Sequence, residues 1–459
     1  MVHNLYKTLI LLFLFLIGFL PLKAQYNNIR FDHISLANGL SQSSVNCILQ
    51  DSKGFMWFGT QDGLNRYDGY SFTVYRNDLD DSSSISNNFI HCLFEDKQGA
   101  IWAGTELGIS VFHPTSGTFT HYYNNPKVGP GLSSNSILSI IQDVKGTMWV
   151  GTTDGGLNHL ILDNYILKTV EVFKKENSPI FSNGINCLLD NKDGTIWIGT
   201  TDGGLTSFNS SNKQFINYTH SPKNVKSISD NQVWNLFPDG NNLWVATNNG
   251  LDLFNTKSKM FSHFIHKDDY FYSLSNNAVK CVYKDNSDNV WIGTLGGGLN
   301  RYDAKTQKFT HYDYLTGIEN GISSNTIQCI EQDKTGTLWI GTENGLNKFD
   351  KVKQGFKHYQ QTSNLRHSIS SNQVWSIWED KDANLWIATK DGLDKFSKED
   401  QAYTHYVMKS AGDKSISKDI TYVMEDKAGT IWLGAEKGLC YLNKVSGEII
   451  LFKPNKNIQ

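Results

Sequence analysis

Four sets of residues in this 459-residue chain have types and spacings that could do chemistry. Asp51, Asp96, Asp143, Asp285, Asp333, Asp380 and Asp426 each stand six residues before a tryptophan, and carboxylates held in tight turns serve as acids or metal ligands. His121, His263, His311, His358 and His405 recur inside aromatic stretches such as FTHY. Six cysteines, Cys47, Cys92, Cys187, Cys281, Cys329 and Cys440, could form disulfides or hold zinc. Glycines cluster in TTDGGL, twice, and in TLGGGL, a composition that could cradle phosphate.

All four sets obey one period, and the period decides what positions them. Trp57, Trp102, Trp149, Trp197, Trp244, Trp291, Trp339, Trp386 and Trp432 share a local context and stand about 45 to 48 residues apart. Within the unit Asn325 to Tyr359, NTIQCIEQD reads as a first strand, DKTG as a hairpin turn and TLWIGT as a strand buried on both faces. A polar turn ending in Gly345 follows, then a short third strand LNKFD and a fourth, aromatic strand FKHY, Phe356 to Tyr359. Short antiparallel strands without helical periodicity predict an all-β fold, a β-propeller of four-stranded antiparallel blades with nine repeats. The tryptophan fills the wedge between neighbouring blades, since packing contacts must recur in every blade and ligand contacts need not.

The period also limits the chemistry. Histidines placed one per blade at the periphery cannot converge on a metal, and the aspartates cap turns. Five of the cysteines lie ten residues before their own tryptophan, hence on different blades, where the ~7 Å limit between Cα atoms for a bridge is not met. They read as small buried apolar residues. No Lys-Ser/Thr pair and no helix follows the glycine clusters, so no P-loop is present. No metal, cofactor or catalytic residue is assigned.

Net charge is -3 and the charges are interspersed, so no polybasic face for nucleic acid exists. Residues 1–24 read as a cleaved export signal, with His3 and Lys7 ahead of an apolar run that is short against the roughly 20 residues of a spanning helix. Residues 25–459 form the repeat array, placed in the periplasm or otherwise outside the cytoplasm. FDHI, Phe31 to Ile34, fits the outer-strand pattern but precedes the first repeat. The expectation is that it completes a blade whose inner strands come later than residue 459, making the chain a truncated version of a longer propeller protein.

The wording SSNxVxCIxxDxxGxxWIGTxxGLNRYD, read at Ser43 to Asp68, Ser134 to His159 and Ser324 to Asp350, resembles the two-component regulator propeller repeat. The resemblance extends over about residues 31 to 456. It implies the periplasmic sensor region of a hybrid two-component histidine kinase, in which such repeats build two seven-bladed propellers ahead of a membrane helix and a kinase. On that plan this chain holds one seven-bladed propeller plus blades of an incomplete second. The resemblance further implies an oligosaccharide ligand, a homodimer, signalling to a kinase absent from these residues, and membrane attachment only through a missing C-terminal region.

Two other functions compete. The Asp-x-x-Gly-x-x-Trp turn resembles the Asp-box of sialidases, so a secreted propeller glycosidase or lyase is one alternative, and a protein-binding scaffold is the other. Sialidase chemistry needs clustered arginines, and this chain offers Arg30, Arg66, Arg76, Arg301 and Arg366. For a sensor, the turns between second and third strands and the variable blade-to-blade loops form the candidate binding face. Arg66, Asp154, Asp202, Asn248, Arg301 and Asn344 are its nominated ligand contacts.

Overall fold

The computed structural model describes residues 29–125, 130–316, 320–351, 359–361, 368–397, 402–407, 418–436 and 438–453. Residues 1–28, with the expected export signal, lie outside these, as do Phe356 to His358 of the expected strand FKHY. The described residues form nine four-stranded antiparallel sheets. The chain divides into two units, Met1–Gln354 with seven sheets and Gly355–Gln459 with two.

In the first sheet the strands are Val45–Gln50, Met56–Thr60, Gly63–Tyr67 and Phe72–Tyr75, laid side by side in chain order. The second strand is buried at every position because sheets cover both of its faces. Gly59 stands opposite Cys47, and a Cβ there would collide with Cys47 Sγ and with Ile90 of the next sheet. This explains the glycine of the recurring Trp-Ile-Gly-Thr. Gly63 turns the chain into the third strand at φ 115°, a left-handed conformation that a side chain would strain.

Sheets pack through aromatic side chains. Trp57 stacks on Tyr75 of its own outer strand and meets Phe112 of the next sheet at 5.4 Å between ring centroids. Trp339 of the seventh sheet meets Phe58 and Tyr67 of the first at 5.4 and 6.0 Å. The inner strand of the seventh sheet, Ile327–Gln332, also lies beside that of the first. Lys334 N–H donates to Gln50 Oε1 at 2.7 Å and its ammonium to the Asp51 carbonyl at 2.8 Å. Lys97 makes the same two bonds to Gln142 and Asp143 between the second and third sheets. The seventh and first sheets are therefore joined as ordinary neighbours, and the seven inner strands surround an axis.

The closure corrects one expectation. Asp32–Ile34 is the outer strand of the seventh sheet, with Asp32, His33 and Ile34 opposite Lys348, Asn347 and Leu346. Phe31 is buried against Tyr312 and Phe349. FDHI thus finds its sheet within the chain rather than beyond residue 459, and its orphan status no longer argues for missing strands.

Eight of the nine anchor tryptophans are also held by an aspartate. Trp57, Trp102, Trp291, Trp339 and Trp432 donate from Nε1 to Oδ2 of Asp51, Asp96, Asp285, Asp333 and Asp426, all at 2.8 Å. The other carboxylate oxygen accepts from the turn backbone, as Asp333 Oδ1 does from Thr335 and Thr337. The aspartate is a turn cap, as expected, and its second job is to satisfy a buried indole.

Candidate functional site

One face of the seven-sheet unit is knitted from the turns between second and third strands and the connections between sheets. The buried hydroxyl of Thr60 donates to the Gly63 carbonyl, and Gly63 N–H donates at 2.7 Å to the carbonyl of Asn88, just ahead of the next inner strand. The Asn88 side chain accepts in turn from Asn77 N–H, where the outer strand of the first sheet ends. Gly108–Asn135, Gly156–Asn183, Gly204–Asn231, Gly250–Asn277 and Gly298–Asn325 repeat the bond, and Gly345 makes it to Ser43. The recurring asparagine is a structural tie that sequence reading did not single out.

Asp154, Asp202, Asn248 and Asn344 are exposed in these turns, in the third, fourth, fifth and seventh sheets. Arg66 and Arg301 sit elsewhere. They pair across the strand with Trp57 and Trp291, at the far end of the sheet from the turn, and each guanidinium lies 5.9 Å from its tryptophan ring. Arg66 also covers Phe55, in the turn on the opposite face, at 4.9 Å. The structure brings four of the six nominated residues to one face and puts the two arginines over packing tryptophans.

Around Asp202 that face is hollowed into an open depression of about 480 Å³, lined by Lys175, Ser178, Phe181, Asp202, Thr219 and Asn231 among others. Phe181 is 56% exposed beside it. Asp202 Oδ1 accepts from the Ser182 hydroxyl, and Asn231 is fixed by His220 N–H at 2.7 Å. An exposed ring beside a carboxylate, an amide, a hydroxyl and an ammonium suits a ligand with an apolar face and several hydroxyls.

A second set of side chains, all but one of them polar or aromatic with a polar N–H, rings the axis. In each of the seven inner strands the pairing register skips one residue, which bulges from the ladder: Asn46, His91, Leu138, Asn186, Trp234, Lys280 and Gln328. They lie toward the same face. His91 Nε2 meets Glu106 Oε1 at 2.8 Å, and Thr201 donates to Asn186 Oδ1, both partners belonging to the turns after second strands. Sequence reading passed over them because each occupies a variable place, just before the cysteine in five of the inner strands and before Ser139 and Asn235 in the other two. That variability inside an otherwise uniform strand was the available signal.

Other chemistry does not assemble. The six cysteines are free, and burial pushes the thiols of Cys92, Cys187 and Cys281 up to about 12, which keeps them unreactive. No group of histidine, cysteine and acidic residues fit for a metal exists among the described residues. His263 and His405 pair instead with the buried carboxylates of Asp252 and Asp394 at 2.6 and 2.7 Å. Arg76 is held by Asp62 at 3.2 Å, Arg66 and Arg301 cover their tryptophans, and Arg366 lies outside the described residues. No helix among the described residues is long and apolar enough to cross a membrane.

The fold and this face define a protein built of propeller repeats with a ligand-sized surface site. Residues 39–62, 84–106, 131–154, 179–202, 273–296 and 321–344 match the family described as Two component regulator propeller, and the chain carries that family's repeat. Over 76 residues it is 50% identical to Histidine kinase P4 of Formosa agariphila, a match spanning 17% of this chain and 5% of that kinase. The extracellular domain of a putative hybrid two component system from B. thetaiotaomicron superposes with TM-score 0.67 at 24% identity, over 93% of this chain and 55% of the other. That of a putative one component system from the same organism gives 0.55 at 22%, over 92% and 54%. The chain thus spans about half the length of these solved relatives, whose likeness shows the fold.

Proposed function

We propose that this chain is the extracytoplasmic, ligand-sensing region of a two-component sensor, binding an oligosaccharide on the turn face of its seven-sheet unit. The observation that carries the reading is the depression at Asp202, where the exposed ring of Phe181 stands beside Asn231, Lys175 and a carboxylate. Sugar rings stack their C–H faces on aromatic side chains and pair their hydroxyls with amides and carboxylates. The matched repeat and the histidine kinase relative support a role in two-component signalling. Extracellular solved neighbours support export through an N-terminal signal peptide.

In this reading the seven sheets of the first unit form one propeller, and the two of the second are blades of another. Binding is passed through a homodimer to a histidine kinase. Calorimetry of the mature chain against a panel of oligosaccharides tests the proposal. A ligand whose affinity falls at least tenfold in Phe181→Ala and Asp202→Ala, but not in Arg66→Ala or Arg301→Ala, is the expected result. Turnover of polysaccharide by the purified chain would overturn it in favour of an enzyme.

A further inference from the structure

The connection from the fourth sheet to the fifth, residues 219–231, lends Thr219 and Asn231 to the lining of the depression. The fifth sheet pins this connection at two points through one buried carboxylate. Asp252, on the third strand Gly250–Asn255 and wholly buried, accepts at Oδ2 from the Ser229 N–H and hydroxyl at 2.8 and 2.9 Å. Its Oδ1 lies 2.6 Å from Nδ1 of His263, on the outer strand Met260–Phe264, and His263 Nε2 reaches on to the Val225 carbonyl at 2.9 Å.

A carboxylate and a carbonyl can only accept, so the two bonds need a proton on each ring nitrogen, and His263 is an imidazolium in this arrangement. The hydrogen bond to Asp252 raises it above the usual 6.5, against the opposing effect of burial. The proton is held below that raised value and lost as pH rises through it. Other charged groups nearby have other engagements. Lys223 and Lys226 flank Val225 and are exposed, and Asp230 accepts from Gln232 N–H at 2.7 Å. His220 donates from Nδ1 to the Ile228 carbonyl at 2.8 Å, and His266 turns to the next connection, at Leu274 and Asp268.

The neighbouring sheets make the same tie with a neutral set. Asn300 and Asn347 take the place of Asp252 in the sixth and seventh sheets and hold Ser275 and Ser323, each at 3.0 Å. Opposite them His311 and His33 reach the Ser273 and Gly321 carbonyls at 2.7 and 2.6 Å, which takes one proton, on Nε2. The sets part company when a proton leaves. A neutral imidazole beside Asp252 keeps its proton on Nδ1, where the carboxylate attracts it, and turns a bare Nε2 lone pair toward the Val225 carbonyl. That contact becomes repulsive and frees the tip of the connection, while Ser229 stays bound. Beside Asn347 no carboxylate draws the proton from Nε2, and the tie persists.

We infer that Asp252 and His263 are positioning residues that make the wall of the depression carried by residues 219–231 sensitive to pH, fixed while His263 is protonated and loosened when it is not. Only the consequence, weaker oligosaccharide binding in alkaline medium, rests on the depression being the ligand site.

Hydrogen exchange of the full chain, read as protection factors at pH 6 and pH 9, tests this. Residues 221–229 are expected to lose protection roughly fivefold at pH 9, the weight of one hydrogen bond, while residues 320–325, tied by His33, change little. Asp252→Asn, the residue that the sixth and seventh sheets carry, and His263→Gln, whose amide donates at any pH, are each expected to remove the difference. A loss that persists in either variant, or that residues 320–325 share, would overturn the inference. So would equal protection at the two pH values in the natural chain. Exchange needs no ligand, so its outcome stands apart from whether the depression binds an oligosaccharide, which calorimetry decides.

Discussion

The indole N–H of Trp197 is buried without an acceptor because the residue six places before it is Asn191, where the seventh sheet has Asp333. Asn191 spends its amide on Asp193 instead, at 2.7 Å. Asn191→Asp restores the missing partner and is expected to stabilise the chain by about 1 kcal/mol, read as a higher urea midpoint. The eighth sheet already tolerates Asp380 and Asp382 at the corresponding places. A lower midpoint would show that the pair of charges outweighs the bond.

Phe31 anchors the strand that completes the seventh sheet. Its ring is 2% exposed between Tyr312 and Phe349, so Phe31→Ala leaves a cavity at the closure. A loss of about 3 to 5 kcal/mol is expected, seen as an earlier unfolding transition by circular dichroism. Phe452→Ala, on a 42% exposed ring of the second unit, serves as the control and is expected to cost far less.

Glu331 makes stability depend on pH. It lies on the inner strand of the seventh sheet opposite Trp339, with Tyr283 on the neighbouring sheet and Cys329 on its own, and burial raises its carboxyl to about 7. A carboxyl raised on folding holds its proton better in the native chain than in the unfolded one. Its contribution is therefore fully present below the unfolded value near 4.5 and is lost as pH rises through about 7. Glu331→Gln is expected to unfold like the natural chain at pH 4.5 and to be more stable at pH 8, by on the order of 2 to 3 kcal/mol. Urea titrations at the two pH values check this.

Asn248 and Asn344 share the turn face with Asp202 but lie in other sheets, outside the lining of the depression. Alanine at either is expected to change oligosaccharide affinity less than twofold, whereas Asp202→Ala removes a lining carboxylate. Loss of binding in Asn344→Ala would move the site along the face toward the seventh sheet.

What recurs was readable from the chain because packing enforces it. The tryptophan recurs in all nine sheets, and the aspartate six places before it and the glycine two places after it recur in seven each, because each answers a packing contact, and that repetition announces the architecture. The partner of Asp32–Ile34 was not readable, because an outer strand of this composition fits any sheet. Only the closing of seven sheets around the axis sets Ile34 opposite Leu346. For Arg66 the sequence hid which end of its strand it occupies, and pairing with Trp57 settled that. The approach of Lys280 to Trp234 joins neighbouring sheets through two bulges, and no spacing within a single repeat encodes it.

The pairing of Ile34 with Leu346 also has a consequence during folding. Asp32–Ile34 and its partner Gly345–Phe349 stand six complete sheets apart along the chain. Until they meet, one strand has bare backbone donors and acceptors, and the first sheet has an uncovered flank at Phe58, both open to pairing with other chains. The ring is therefore most open to misassembly just before its two ends join.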